Sequence, residues 1–348
     1  MNVREIGFGI VGAGMVTRYH AEAIAQTEGA RLVAVCRSNP EQVAEAEERF
    51  GVPCELGYEA LLARPDVDAV CICTPSGLHA SQAIAAARAG KHVLLEKPMA
   101  LTLADADATI AACRKAGVVL QIAQQRRTDP LFRAIHDAVE AGAFGRMVLG
   151  TISAPYNRTE SYYESADWRG TWALDGGGAL MNQSIHLVDL LVWYMGDVEE
   201  VRAHADTLVR PIEVEDTVAA TLRFANGALG SIVATTATAP GYPHRVEIYG
   251  DRGGVQIEGE TIARWEIAAP RPEQVGVQPG SQTPVPGGVG ASPTGMGAEG
   301  HTRLVADLVG AIREGRKPLV PGEEGRRALA LVLAVYDAAR TGQAVRPG

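Results

Sequence analysis

The chain has 348 residues, 47% of them hydrophobic, and a formal charge of −9 from 41 acidic and 32 basic side chains. That length exceeds one small core and points to two domains. The acidic balance argues against a general nucleic-acid or membrane-surface binder, and no stretch stays apolar long enough to span a bilayer.

The first 120 residues alternate strand and helix. Segment 5–12 (EIGFGIVG) reads as a buried strand, 15–26 as a helix, 31–36 (RLVAVC) as a strand and 40–51 as a helix closed by Gly51. A short helix over 59–65 leads to a strand at 67–73 (VDAVCIC), a helix at 79–90 and a strand at 91–96 (KHVLLE). A helix at 103–117 and a strand at 118–123 complete the series. Apolar strands alternating with helices form a parallel sheet covered on both faces, so residues 1–124 are expected to be a doubly wound Rossmann domain. The pattern then changes, and 125–348 reads as a second α/β domain. It holds helices at 130–145 and 177–196, a hairpin over 216–236 turning at Asn226-Gly227, and a second hairpin over 244–259. Sequential hairpins make an antiparallel sheet with one open face, suited to a subunit interface. Segment 270–300 is rich in Pro, Gly and Ser and reads as a loop, and helices at 302–315 and 323–342 close the chain.

Five cysteines, at 36, 54, 71, 73 and 113, show neither a disulfide framework nor a metal spacing. Cys71 and Cys73 sit in an apolar run and read as small buried hydrophobes, which suits a reducing cytoplasm. The start, MNVREIGFGIVGAG, carries Glu5 and breaks its apolar run with glycines, unlike a signal peptide. No metal site is expected.

Four strands end at the same edge of the expected sheet. In GIVGAGMV, Gly12 and Gly14 are the first two glycines of a G-x-G-x-x-G turn whose third position is Thr17. Such a turn brings backbone and the first helical residues, here Met15 and Val16, up to a pyrophosphate. The second strand runs into Arg37 and Ser38 where an NAD-binding chain carries an acid, and a guanidinium beside a hydroxyl suits a 2′-phosphate. NADP is therefore expected over NAD. The loop CTPSGLHA adds Thr74, Pro75 and His79. The last loop, LLEKP, ends a buried strand on Glu96 and Lys97 and fixes the backbone with Pro98, a candidate cis proline. A lysine so placed can move the proton of a substrate hydroxyl.

With GIVGAG, CTPSGLHA, LLEKP, WRGTW and GGGALMNQSIHLVDLL in view, the chain resembles the Gfo/Idh/MocA oxidoreductases over nearly its whole length. The resemblance implies a Rossmann domain and an α/β domain with an open, mostly antiparallel sheet, the last helix packing back on the first domain. It implies a homodimer or homotetramer formed through that sheet. It also implies hydride exchange between a nicotinamide and a secondary alcohol or ketone of a sugar, glycoside, nucleotide sugar or cyclitol. Lys97 and His186 then form the acid–base pair. Asn182, His186 and Asp189, at spacings of 4 and 3, share a helical face. Many relatives have Asp at position 182, so Asn182 puts an Asp-assisted relay in question and is assigned instead to a substrate hydroxyl or amide. Asp189 is expected behind His186. Gln125 and Arg126 resemble positions near the nicotinamide. The segment YNRTESYYESADWRGTW supplies Tyr156, Tyr163, Trp168, Arg169 and Trp172 as candidate sugar contacts. Two rival readings share the scaffold: glycoside cleavage through transient oxidation by bound NAD, and a non-catalytic sensor of NAD(P) or sugar.

Overall fold

The computed structural model describes residues 4–12, 14–272 and 297–348. Ala13, the Met15 side chain and residues 273–296 of the expected loop lie outside the described residues. The chain divides into two compact units, Met1–Gln125 with Ala298–Arg326, and Arg126–Gly297 with Arg327–Gly348.

In the first unit β1 (Ile6–Val11), α1 (Met15–Gln26), β2 (Ala30–Arg37), α2 (Val43–Phe50), β3 (Cys54–Leu56) and α3 (Tyr58–Ala63) make one half. β4 (Ala69–Ile72), α4 (His79–Arg88), β5 (His92–Leu95), α5 (Leu103–Ala116) and β6 (Leu120–Ile122) make the other. The sheet order is β3-β2-β1-β4-β5-β6 with every pairing parallel, the doubly wound arrangement. Its winding reverses between β1 and β4, the point where such sheets open a crevice at the strands' carboxyl ends. β4 and β5 are apolar runs because both faces of the sheet are covered. β3 has three residues, too short for its periodicity to stand out in the sequence.

The second unit holds α6 (Pro130–Glu140), β7 (Met147–Pro155), α7 (Glu160–Glu164), α8 (Ile185–Met195) and six more strands. These are β8 (Val198–Asp206), β9 (Thr217–Phe224), β10 (Leu229–Thr235), β11 (Arg245–Gly250), β12 (Gly253–Glu258) and β13 (Thr261–Glu266). Sheet order is β13-β12-β11-β7-β10-β9-β8. Both expected hairpins form, β9–β10 and β11–β12. β7 was not foreseen; it enters between them and pairs parallel with β10, so the sheet is mixed although mostly antiparallel. Gly150 and Ser153 interrupt its β-branched residues Val148, Thr151 and Ile152, so no continuous run marks it as a central strand. The edge strands β8 and β13, largely exposed and charged, also escape sequence reading.

One face of this sheet carries α8. Nine of its 11 residues are buried, as an all-round apolar helix requires. Gly150 permits the approach, since a Cβ there would lie 2.6 Å from Met195 Cγ. The opposite face presents Leu149, Tyr249, Leu229 and Val233 beside polar neighbours, with Leu229 and Val233 about half exposed.

Two last helices are α9 (Glu299–Glu314) and α10 (Gly322–Thr341). α9 belongs to the first unit, where Leu304, Val305 and Leu308 join the core of Phe8 and Ile10. The boundary between units falls inside α10, at Arg326 and Arg327. Among the described residues no helix is long and apolar enough to cross a membrane. All five cysteines are free and buried. Burial pushes the thiols up, Cys36 to about 12 and Cys113 to about 11.

Candidate active site

The first unit shapes its candidate site with backbone. Gly12 adopts φ +113°, and a Cβ there would lie 2.4 Å from the Cys73 carbonyl oxygen, so only glycine closes this turn. Among the described residues, a Cβ at Gly14 would meet no atom within 4 Å, and no side chain caps the start of α1. The room above Gly14 and the uncapped N–H groups of α1 therefore fit an anionic group arriving from outside, as a dinucleotide pyrophosphate would. Val16 turns instead toward the hydrophobic core. Thr17, in the third glycine's place, is fully buried. At the end of β2, Arg37 is mostly buried and makes no ion pair among the described residues, and Ser38 is exposed. Thr74 donates its hydroxyl to Gln82 Oε1 at 2.6 Å, which fixes the turn into α4.

Side chains then brace the EKP loop. The Lys97–Pro98 peptide is cis. His79, expected to face the cofactor, is buried with Nδ1 2.6 Å from the Pro98 carbonyl oxygen and Nε2 2.9 Å from that of Thr74. Its place is that of a strut between two loops. Glu96 Oε1 stands 2.8 Å from His20 Nε2 and 3.6 Å from His301 Nε2. Glu96 Oε2 accepts the Lys97 main-chain N–H at 3.2 Å. Burial alone would raise the Glu96 pKa; the bonds and charges of His20 and His301 override it and hold the carboxyl well below its ordinary range. His20 and His301 carry no motif spacing, so nothing in the sequence singled them out.

In the second unit the segment expected as one helix, 177–196, splits. Residues Ala179–Ser184 form a π-helical turn, and α8 begins at Ile185. Asn182 thus lies outside the α-helical register of His186 and Asp189, a correction to the single shared face. Glu215 sets the turn: Oε2 accepts from Gly178 N and Oε1 from Leu180 N, both at 2.9 Å, and Tyr336 donates to Oε1 at 2.8 Å. Burial pushes Glu215 up to about 6, against these bonds, which pull it down. Asn182 donates its amide to Asp175 Oδ1 and accepts from Gln183 at 2.7 Å. Asp189, expected behind His186, gives both carboxylate oxygens to Arg127, at 2.7 and 2.8 Å, in a buried bidentate pair. His186 itself is half-buried.

The tyrosine-rich segment packs around two guanidiniums. Arg158 lies over Tyr156 and Tyr162 and donates to Gln183 Oε1 at 2.8 Å. Arg169 lies 4.3 Å from the Tyr162 ring centroid and 4.6 Å from that of Trp168, and bonds the Tyr162 hydroxyl. Arg169 has no carboxylate partner among the described residues, and its Nε is buried without one. Tyr156, expected at the substrate, has its ring buried against His244. Tyr163 bonds Thr236 through its hydroxyl, and Trp172 is half-exposed with its indole N–H on the Glu213 carbonyl. Gln125 opens the turn after β6. Arg126, expected near the nicotinamide, is engaged by His244 and Glu260.

A doubly wound sheet with a glycine turn at its switch point, followed by a mixed-sheet domain, is the frame of a dinucleotide-binding protein. Residues 6–124 match the model of an oxidoreductase family with an NAD-binding Rossmann fold, and residues 132–256 match the GFO/IDH/MocA C-terminal domain. The chain belongs to the Gfo/Idh/MocA oxidoreductases and is an NAD-binding enzyme of the kind that acts on CH–OH groups of sugars and cyclitols. It is similar to the WlbA dehydrogenase of Bordetella pertussis, solved with NADH and UDP-GlcNAcA, at 38% identity over 99% of both chains and a TM-score of 0.87. It is 34% identical to a myo-inositol 2-dehydrogenase of Thermotoga maritima over 71% of this chain and 73% of that one. A 1,5-anhydro-D-fructose reductase of Ensifer adhaerens is 30% identical over 97% of both.

Proposed function

We propose that this enzyme oxidises a secondary hydroxyl of a nucleotide-linked sugar acid, of the type bound by the Bordetella dehydrogenase. The observation that carries the substrate class is Arg169. A guanidinium stacked between aromatic rings, with no carboxylate partner among the described residues, is suited to a carboxylate or diphosphate supplied by substrate. Arg158, on the same tyrosine cluster, adds a second cation. A bound nicotinamide would supply the hydride acceptor. Gly12, Gly14 and the start of α1 hold its pyrophosphate. Lys97 takes the proton of the reacting hydroxyl, and His186 is the second acid–base group. Arg37 and Ser38 support NADP as the cofactor, whereas the Bordetella enzyme was solved with NADH. The buried free cysteines suit a cytoplasmic protein, and the half-exposed Leu229 and Val233 suit a homo-oligomer joined through the outer sheet face.

The test is a turnover screen with NAD and with NADP, following reduced nicotinamide by absorbance. UDP-linked hexosaminuronates, neutral UDP-sugars, free sugars and inositols are the substrates. Turnover confined to the uronates supports the proposal; turnover with inositols or free sugars alone overturns the substrate class. Lys97→Ala should keep cofactor binding and lower kcat by about 10²–10⁴-fold, the usual range for a lost acid–base group. Arg37→Asp should weaken NADPH far more than NADH; equal losses remove the case for NADP.

A further inference from the structure

We infer that His20 and His301 are positioning residues for Lys97, acting through the Glu96 carboxylate between them. The inference rests on the role proposed for Lys97. Its basis is connectivity within the first unit. Glu96 uses one oxygen for the Lys97 main-chain N–H and the other for the two imidazoles. Lys97 is thus braced from both sides, since His79 holds the next carbonyl, that of Pro98. The rings come from distant parts of the chain, His20 from α1 and His301 from α9. They meet edge to face with centroids 4.9 Å apart, and Tyr19 stacks on His301 at 5.8 Å. All three members are buried, with His20 fully so.

A carboxylate buried this deeply stays ionised only while donors face it. His20 is the donor to Oε1 at 2.8 Å, the Lys97 N–H is the donor to Oε2, and His301 turns its Nε2 to Oε1 at 3.6 Å, an electrostatic contact longer than a hydrogen bond. The other groups around it leave it as the local anion. Cys71 and Cys73 of the neighbouring strand and loop are thiols pushed up by burial, and His79 is spent on carbonyls. An anion one residue from Lys97 favours its ammonium form, and a bond to the Lys97 N–H fixes the direction in which the side chain leaves the backbone. The ligand atoms of His20, Glu96 and His301 also lie within 4.8 Å of one another, a spacing open to a divalent ion. However, each ring leaves a buried Nδ1 without a partner among the described residues, where metal-bound imidazoles usually donate to a carboxylate or carbonyl.

The chain has four lysines, Lys91, Lys97, Lys115 and Lys317, so reductive ¹³C-methylation gives a short NMR spectrum in which Lys97→Arg assigns one signal. In the full-length protein that signal should titrate at lower pH in His20→Leu, His301→Leu and Glu96→Gln, by half a pH unit or more. His20→Gln, which keeps a donor near the Nε2 position, should restore the midpoint. With substrate, the same leucine variants should lose 10-fold or more in kcat, with KM and cofactor affinity unchanged. Thermal melting and cofactor titration certify folding, and His301→Gln replaces His301→Leu where the latter does not fold. A Lys97 signal and kcat that ignore all of these variants would overturn the inference. So would stoichiometric metal in the purified protein. Full turnover by Lys97→Ala is a different failure, because it removes the role of Lys97 while leaving the NMR shift intact.

Discussion

The two units hold their functional groups by different means. In the first, backbone does the shaping and side chains brace it: Gly12 closes a turn, His79 ties two carbonyls, and Glu96 holds the Lys97 amide. In the second, side chains hold side chains: Arg127 with Asp189, and Arg158 with Gln183, Asn182 and Asp175 in a row. A backbone cradle suits a ligand part that never varies, such as a pyrophosphate. A side-chain network can be rewritten by substitution, which suits the part of a family that selects among sugars.

Three variants test this contrast, in order of decreasing effect. Asp189→Asn leaves the buried Arg127 guanidinium short of its anion, so the second unit should lose about 3–5 kcal/mol, read from the denaturation midpoint. A cost below 1 kcal/mol would mean that the network is not what holds α8. Gly12→Ala combines a backbone clash with a strained φ, each of about 1–3 kcal/mol. Cofactor affinity should fall with it while isolated sugar binding does not; loss of both would blur the division of labour. Glu215→Gln gives the smallest effect and depends on pH. Glu215 titrates at about 6 when folded against an ordinary 4.5, so the folded state holds the proton more tightly. Its contribution is fully present below 4.5 and lost as pH rises through 6, a span worth roughly 2 kcal/mol. Thermal melts of both proteins from pH 4 to 8 should diverge across that window, and parallel curves would assign the turn's stability elsewhere.

The same contrast explains what the sequence could reveal. The parallel sheet was legible because buried strands are unbroken apolar runs, and the glycine turn and EKP loop were legible because backbone demands leave glycine and proline behind. β7 was hidden because Gly150 and Ser153 break up its apolar and β-branched residues. The π-helical turn was hidden because it depends on Glu215 and Tyr336, residues far away in the chain. Asp189 was expected behind His186, and its bidentate partner Arg127, in the turn before α6, has no spacing that announces it. His301 joined Glu96 for the same reason: long-range side-chain contacts leave no periodic trace.

The buried cysteines have a practical consequence. Thiolates are the reactive species, and burial disfavours the thiolate at all five positions. Alkylating reagents should leave the native protein unmodified, and storage should not call for a reductant. A cysteine introduced at exposed Ser38 would then be the single thiol open to a fluorophore, reporting nucleotide arrival at the end of β2 without first stripping the native cysteines.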